Sequence, residues 1–285
     1  MPILSGLGTS ATRRIVQSMT TDLVRVDNCD IHLEAAGEGP AVLFIHAGVA
    51  DSRMWRDQMG LPGHRTITFD QRGFGKTQWV PGSYSNRGDA LAILDHLDVD
   101  TAVVVGCSNG GEAAMQLALV APDRVLGLVL VGTAPGGWEP DGGWADDPLW
   151  DQAVAASKTG DMDRVVDLDA QMWLAGPGRA LEEVDTGLVD LFRIMDRVPA
   201  ATESEREPYV ETLEPTTNEQ LDAIAQPTLA VVGEHDYPDL VIAASYLAHR
   251  LSDRAPVVLN HTAHLPSLEV PDAFNNALTG FLTSI

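Results

Sequence analysis

The sequence predicts an α/β fold in which helices cover both faces of a mostly parallel central sheet. Short runs of apolar, often β-branched residues alternate along the chain with longer segments whose apolar residues recur at helical spacing. The run at residues 101–106 is almost wholly apolar, which is typical of a strand buried on both faces. A chain of 285 residues is long enough for one large domain of this kind.

The predicted elements follow one another as strands and helices in alternation. The predicted strands are residues 23–26, 31–35, 41–45, 66–69, 101–106, 125–131, 228–232 and 256–259. The predicted core helices are residues 86–97, 111–120, 240–251 and 272–282. Strands that alternate with helices form parallel sheets, because each helix returns the chain to the same edge.

Strand-like runs stop between residues 134 and 225, where helical patterns such as 161–174 and 187–197 take over. Residues 134–227 hold 21 acidic and 6 basic residues, so that −15 of the total charge of −23 falls in this stretch. We therefore predict a helical cap domain, residues 134–225, inserted into a core. The core comprises residues 23–133 and 226–285, and residues 1–22 form an N-terminal tail.

Composition excludes several classes of partner. A net charge of −23 repels nucleic-acid phosphates and anionic membrane surfaces, and no apolar run is long enough to span a bilayer. Two cysteines, Cys29 and Cys107, are too few for a disulfide scaffold and fit free thiols in a reducing compartment. Arg13 and Arg14 are not followed by the apolar stretch of an export signal. We expect a cytoplasmic protein, and the sequence does not indicate its oligomeric state.

A serine between glycines follows the buried strand and precedes a helical pattern. The segment Gly106-Cys107-Ser108-Asn109-Gly110 matches G-x-S-x-G in the strand–turn–helix context that this motif requires. Such a turn lifts the hydroxyl out of the sheet and places the first helix amides behind it. The alternative is a glycine-rich turn with an incidental serine. The flanking elements favour Ser108 as a nucleophile, with Cys107 a small buried filler.

With four further motifs, this turn makes the chain resemble the α/β-hydrolase fold superfamily, and within it the esterase and 3-oxoadipate enol-lactonase-like branch. The motifs lie between residues 41 and 274 in the family's order. They are Phe44-Ile45-His46-Ala47-Gly48, Phe69-Asp70-Gln71-Arg72-Gly73-Phe74-Gly75-Lys76-Thr77, the Ser108 turn, Val232-Gly233-Glu234-His235-Asp236, and Ala263-His264-Leu265-Pro266 with Glu269 and Pro271. The resemblance implies an α/β-hydrolase fold, and it is weaker over the cap.

His264 lies where the resemblance places the catalytic base, after the last strand and before the closing helix. A serine hydroxyl needs such a base at neutral pH. His261 is the competitor, but Leu265-Pro266 and Glu269 fit only the register of His264.

Asp236 matches the family's acid, which orients the imidazole by holding its far N–H group. Some relatives carry this acid after the preceding strand. Here that stretch, residues 132–137, contains no carboxylate, which favours Asp236. Glu234 and Asp239 are then expected to be solvated loop carboxylates.

A tetrahedral intermediate needs two N–H donors for its oxyanion. We expect the backbone amide of Asn109 to be one, and the resemblance implies Gly48 as the other. Ala47 replaces the usual glycine of the family, so the choice between Ala47 and Gly48 stays open. His46 is expected to brace this loop, and Arg72 either ties loops together or faces the substrate.

Other patterns argue against rival chemistry. A serine at the turn disfavours haloalkane dehalogenases and epoxide hydrolases, both of which use an aspartate there. No metal-ligand spacing is present, since only His261 and His264 are close in sequence, and no G-x-G-x-x-G follows a strand. We expect no metal and no cofactor.

The sequence therefore predicts a serine hydrolase that cleaves a small carboxylic ester or lactone through Ser108, His264 and Asp236. The alternative to ester or lactone hydrolysis is an enzyme that uses the same triad for C–C bond hydrolysis or for cofactor-free perhydrolase/haloperoxidase chemistry. A non-catalytic ligand receptor is a remote one.

The acidic cap predicts a neutral or weakly polar substrate, because it repels anions within a Debye length. Local arginines could reverse that preference, and the candidates are Arg53, Arg72, Arg179, Arg193 and Arg197. Trp138, Trp144, Trp150, Trp173, Met172 and Met195 either line an apolar channel or pack the cap onto the core.

Overall fold

Eight strands form one sheet in the computed structural model, which describes residues 19–252 and 254–285. In chain order they are β1 (Met19–Val26), β2 (Cys29–Ala36), β3 (Ala41–Ile45), β4 (Arg65–Phe69), β5 (Ala102–Cys107), β6 (Val125–Val131), β7 (Thr228–Gly233) and β8 (Val257–Leu259). Each overlaps a predicted strand, so the predicted α/β class is confirmed.

Eight α-helices accompany the strands among the described residues. They are α1 (Asn86–His96), α2 (Asn109–Val120), α3 (Pro148–Thr159), α4 (Met162–Asp169), α5 (Thr186–Arg206), α6 (Pro238–Leu251), α7 (Pro266–Glu269) and α8 (Pro271–Leu282). The 3₁₀ turns are Ser52–Trp55, Pro122–Arg124, Leu181–Glu183, Glu207–Tyr209 and Leu221–Ala223, and Ala170–Ala175 forms a π-helical turn. None of the described helices is both long and apolar enough to cross a membrane.

The order of the strands in the sheet is β1-β2-β4-β3-β5-β6-β7-β8. Strand β2 is antiparallel to both of its neighbours, β1 and β4. The six strands β3 to β8 are all parallel to one another. The carboxyl ends of these parallel strands therefore meet at one edge. The chain order reverses around β3, and the crevice beside such a reversal is where open α/β sheets bind ligands.

Strand β3 separates two apolar cores because its side chains alternate between the faces of the sheet. Leu43 and Ile45 belong to the core that includes residues of α1 and α2. Val42 and Phe44 belong to the other core, which contains residues of α8 and α5. Packing against α5 joins the helical insertion to the sheet.

The first strand begins earlier than predicted. Residues 19–22, assigned to the N-terminal tail, pair with β2 from Met19 opposite Ala36 onward. These residues are exposed at the edge of the sheet, so backbone pairing forms the strand without an apolar signal in the sequence. Residues 1–18, the rest of the predicted tail, lie outside the described residues.

The insertion between β6 and β7, called the cap segment (residues 134–225), contains α3, α4 and α5 and no strand. Helix α5 continues to Arg206 although Pro199 lies inside it, whereas the sequence predicts an end at residue 197. Proline removes only one N–H group from the helix. Buried Val189, Phe192 and Met195 hold the helix against the core from the same side.

Candidate active site

Ser108 is the single residue between the end of β5 and the start of α2, and its backbone is strained. Its φ of 54° and ψ of −120° are uncommon for a residue with a side chain. The N–H group of Ser108 donates to the carbonyl of Val131 at 2.9 Å. The Ser108 carbonyl accepts from the hydroxyl of Thr133 at 2.8 Å. Contacts with the neighbouring strand thus hold the turn in place.

Two glycines make this turn possible, as the sequence predicts. A Cβ atom on Gly106 would collide with the backbone carbonyl of Gly110, and one on Gly110 would collide with that of Ile45. Cys107 lies between them, fully buried, with its thiol 3.4 Å from the carbonyl of His264. Burial raises the pKa of the Cys107 thiol, which keeps it protonated and unreactive.

His264 and Asp236 form a buried pair at the carboxyl ends of β7 and β8. Nδ1 of His264 lies 3.1 Å from Oδ1 and 3.0 Å from Oδ2 of Asp236. The backbone N–H group of Tyr237 also donates to Oδ1 of Asp236, at 2.9 Å. The carboxylate is thus placed to hold the proton of Nδ1, which leaves Nε2 as the acceptor.

Two residues that the sequence did not assign to the site hold this pair. A Cβ atom on Gly132 would lie 2.8 Å from Oδ2 of Asp236 and 3.0 Å from Nδ1 of His264, so only glycine leaves room for the pair. The ring of Trp173 lies 4.7 Å from that of His264, and its carbonyl accepts the backbone N–H group of His264 at 3.2 Å. The left-handed φ of Gly132, 49°, is a signal that only the structure reveals.

Ser108 and His264 line the same cavity, which has a volume of about 660 Å³. Among the hydrogen bonds of the described residues, none joins the Ser108 hydroxyl to His264. Hydrogen bonds of this kind often tighten only when substrate binds. The fold therefore places Ser108 and His264 at one cavity, and Asp236 lies behind His264, outside the cavity lining.

Gly48 and Asn109 line this cavity as well, and a Cβ atom on Gly48 would lie 2.7 Å from the Asn109 side-chain nitrogen. Ala47 is fully buried, and its N–H group lies 3.3 Å from the sulfur of Met54. Because the Ala47 N–H group already has this partner, Gly48 is the better candidate for the second N–H donor to an oxyanion.

His46 braces the loop after β3, as expected. Its Nε2 accepts the N–H group of Gln71 at 2.9 Å, and its Nδ1 lies 2.8 Å from the carbonyl of Ala47. Burial lowers the pKa of His46, which keeps the imidazole neutral. The ring of Phe74 packs on it at 4.8 Å.

His261 does not join the pair at the cavity. Its exposed ring lies with Glu234 and His235, and one ligand atom from each of the three lies within 4.8 Å of the others. Two imidazoles and a carboxylate suit a metal such as Zn²⁺. The sequence spacing gave no signal of this cluster, because its residues come from two different loops.

The five candidate arginines are engaged by carboxylates away from the cavity. Buried Arg72 binds Asp89 through two hydrogen bonds of 2.8 and 2.7 Å, so it ties loops together rather than facing a substrate. The other pairs are Arg53 with Asp51, Arg179 with Glu269, Arg193 with Asp167 and Arg197 with Asp163. Arg179 also donates to the carbonyl of His261, and Glu269 accepts the N–H group of Ala263, which fixes the loop before His264.

A second cavity of about 910 Å³ shares Ser108 with the first. Its walls include Trp138, Trp144, Pro135 and Tyr237, whereas the first is rich in Glu and contains Arg206. Trp150 and Trp173 line both cavities. The four cap tryptophans therefore face open space, while Met172 and Met195 are buried packing residues.

Asp169 and Asp196 form a pair of carboxyl groups inside the cap segment. Burial raises the pKa of Asp169 to about 6 and raises that of Asp196 well above its usual range. Oδ2 of Asp196 is buried and has no donor among the described residues. This arrangement is typical of two carboxyl groups that share a proton.

Comparisons with known proteins agree with this architecture. Residues 40–271 match the family described as alpha/beta hydrolase fold. Epoxide hydrolase 2 of Siraitia grosvenorii is 36% identical over 114 residues, which cover 37% of this chain and only 36% of that protein's length. The 3-oxoadipate enol-lactonase 1 of Acinetobacter baylyi is 22% identical over 263 residues, covering 90% of this chain and 93% of the relative. A solved structure, described as Est816, an N-acyl homoserine lactone degrading enzyme, is 26% identical with a TM-score of 0.71, covering 91% and 99% of the two chains.

Proposed function

The chain belongs to the α/β-hydrolase fold family, and from that premise we propose that it is a serine hydrolase acting on carboxylic esters or lactones. One observation carries the proposal. A serine held at a positive φ faces the same cavity as a histidine whose far nitrogen is bound by a buried carboxylate. This set supplies the nucleophile, the base and the group that orients the base.

In the proposed reaction, Nε2 of His264 removes the proton of the Ser108 hydroxyl while the oxygen attacks the acyl carbon. Asp236 stabilises the imidazolium that forms. The protonated His264 then gives its proton to the leaving oxygen, and an acyl-enzyme remains on Ser108. Water, activated by the same histidine, releases the acid and restores the serine.

The backbone N–H groups of Asn109 and Gly48 are proposed to bind the oxyanion. Asn109 opens α2, so its amide belongs to the first turn, where helical N–H groups lack intrahelical partners. The positive end of the helix dipole adds to this stabilisation.

The two cavities that share Ser108 support a substrate with substantial groups on both sides of the scissile bond. One group would occupy the Glu- and Arg-lined cavity and the other the tryptophan-lined cavity. Two of the relatives named above act on lactones by their descriptions, which supports the lactone half of the proposal. Epoxide opening by an aspartate at the turn does not suit Ser108.

A fluorophosphonate probe tests the nucleophile, because it forms a stable adduct only with an activated serine. We expect stoichiometric labelling of the peptide that contains Ser108, and none in Ser108→Ala. The exposed Ser83, which donates to Glu211, gives a matched control, since Ser83→Ala should label as the unaltered protein does. Stoichiometric labelling elsewhere would refute the assignment.

A substrate panel tests the reaction. p-Nitrophenyl esters and simple lactones should turn over faster than vinylogous 1,5-diketones, and faster than acetate reacts with peroxide. Preferential cleavage of the diketones would replace ester hydrolysis with C–C bond hydrolysis, although Ser108 would keep its role.

A further inference from the structure

Glu234, His235 and His261 bring one carboxylate and two imidazoles together beyond the carboxyl ends of β7 and β8. One ligand atom from each residue lies within 4.8 Å of the other two. Nε2 of His235 lies 3.9 Å from Oε2 of Glu234. Zinc with tetrahedral bonds of about 2.0–2.1 Å holds its ligand atoms about 3.4 Å apart. Glu234 and His261 are exposed and His235 is half-buried, so side-chain rotation alone can close the set.

Hydrogen bonds hold the two loops that supply these three side chains. The N–H group of Glu234 donates to the carbonyl of Leu259 at 2.8 Å, and that of His235 donates to Thr262 at 2.9 Å. The N–H group of His261 donates to Oε2 of Glu234 at 3.0 Å. That bond uses one oxygen of the carboxylate, and the second oxygen has lone pairs for a metal. The backbone of the cluster is therefore preorganised, which lowers the entropy that a bound ion must offset.

Charge around the cluster is compatible with a cation. Arg179 contacts this loop, donating to the carbonyl of His261 at 3.1 Å. Glu269 binds the guanidinium of Arg179 at 2.8 Å, so the repulsion that Arg179 exerts on an ion is offset in part. The net charge of −23 attracts cations to the protein as a whole.

We propose that Glu234, His235 and His261 bind a divalent transition-metal ion of the Zn²⁺ type. Imidazole nitrogens and a single carboxylate suit Zn²⁺, whereas Ca²⁺ and Mg²⁺ prefer larger sets of oxygen ligands. Three protein ligands leave the fourth position of the ion to water. None of the three residues is among the described residues that line the two cavities, so the ion would be structural rather than catalytic.

The position of the cluster connects it to the pair that we propose for proton transfer. His235 directly precedes Asp236, and His261 lies three residues before His264. Nδ1 of His264 is 3.0 Å from Oδ2 of Asp236. An ion that joins the two loops would therefore restrain the separation of this imidazole and this carboxylate. The inference goes beyond the proposed hydrolase function, and zinc binding does not depend on that function.

Calorimetric titration of the untagged full chain with Zn²⁺ tests the site. We expect Glu234→Gln, His235→Ala and His261→Ala each to weaken zinc binding by at least about 10-fold, because losing even an outer-shell partner costs about 10- to 100-fold. The matched control is His249→Ala, an exposed histidine in the last turn of α6, which should bind Zn²⁺ as the unaltered protein does. Excess Mg²⁺ should not compete. No binding of Zn²⁺, or an affinity that all three substitutions leave unchanged, would overturn the inference.

Hydrogen exchange and thermal unfolding give readouts that need no turnover. Zn²⁺ should slow exchange of the His235 and His261 amides, and at about 100 times Kd it should raise Tm by about 3–6 °C. Both effects should be absent in Glu234→Gln, which keeps an oxygen for the N–H group of His261. Protection by Zn²⁺ only at other segments would place the ion elsewhere and overturn the inference. Circular dichroism confirms that each variant is folded, and labelling of Ser108 decides the hydrolase proposal separately.

Discussion

Gly132 lies so close to His264 that a Cβ atom on the glycine would sit 3.0 Å from Nδ1 of the imidazole. Gly132 is the first residue after β6, and it leaves the strand with a φ of 49°, directly beside the pair that we propose for proton transfer. The backbone of the central sheet is thus one wall of the histidine site.

Gly132→Ala should therefore displace His264 from Asp236. We expect kcat/KM for p-nitrophenyl esters to fall by about 10- to 100-fold, because small displacements of catalytic groups cost about this much. Gly127→Ala, within β6, is the control. The atoms nearest to its Cβ atom would belong to the side chains of Ile285 and Phe281 and the carbonyl of Pro227, away from His264. Equal losses of kcat/KM in both variants would show that the effect is one of stability alone.

Because the backbone of Ser108 is strained, replacing it with glycine should abolish activity but raise stability. Glycine adopts a φ of 54° without strain, and a non-glycine residue held in such a conformation costs about 1–3 kcal/mol. Ser108→Gly should raise Tm by about 2–4 °C relative to Ser108→Ala, which keeps the strain. Both variants should lose at least about 1,000-fold in kcat. A Ser108→Gly protein no more stable than Ser108→Ala would contradict stored strain at this turn.

The Asp169–Asp196 pair predicts that stability falls as pH rises. Because their pKa values are raised in the folded state, the folded protein binds more protons than the unfolded chain above about pH 4. The contribution of the pair is therefore lost as pH passes through about 6 and beyond. Asp196→Asn removes one acid and keeps a donor for Asp169. It should raise Tm by at least about 2 °C more at pH 8 than at pH 5.

The control for that experiment is Asp190→Asn, on the exposed side of the same helix. It should shift Tm by similar amounts at the two pH values. A pH-independent effect of Asp196→Asn would mean that the two carboxyl groups do not share a proton.

Arg72→Met should destabilise the protein without changing its selectivity. Asp89 would remain buried without its partner, and breaking a buried ion pair in this way costs about 3–5 kcal/mol. Urea unfolding measures the loss, and Arg72→Met/Asp89→Leu should recover part of it. The ratio of kcat/KM for the p-nitrophenyl monoester of glutarate to kcat/KM for p-nitrophenyl pentanoate should stay constant, whereas a change in this ratio would assign substrate contact to Arg72.

The core and its motifs were predictable because each rests on a local signal. The β-branched run before Ser108 marks β5, and the glycines around the serine mark the turn. Asp236 and His264 follow strands whose carboxyl ends meet at one edge, so strand assignments alone bring them near Ser108. Nothing in the sequence revealed that Gly132 and Trp173 hold this pair, because both contacts depend on the approach of distant segments.

Arg206 escaped sequence analysis for a specific reason. The predicted helical pattern at residues 187–197 stops before Arg206, so the residues beyond it were assigned to no element and their face was unknown. The pairing of Asp169 with Asp196 was equally hidden, since it depends on how α4 and α5 pack.

The cap segment is the crossover between two neighbouring parallel strands, leaving the sheet at the end of β6 and re-entering at the start of β7. Ser108, Asp236 and His264 all lie outside it, whereas Arg206 and the cavity tryptophans lie within it. Replacement of this one continuous segment can therefore change which substrate is bound while the proposed catalytic residues stay the same. Trp173 limits that freedom, because any replacement crossover must still offer a carbonyl to the amide of His264.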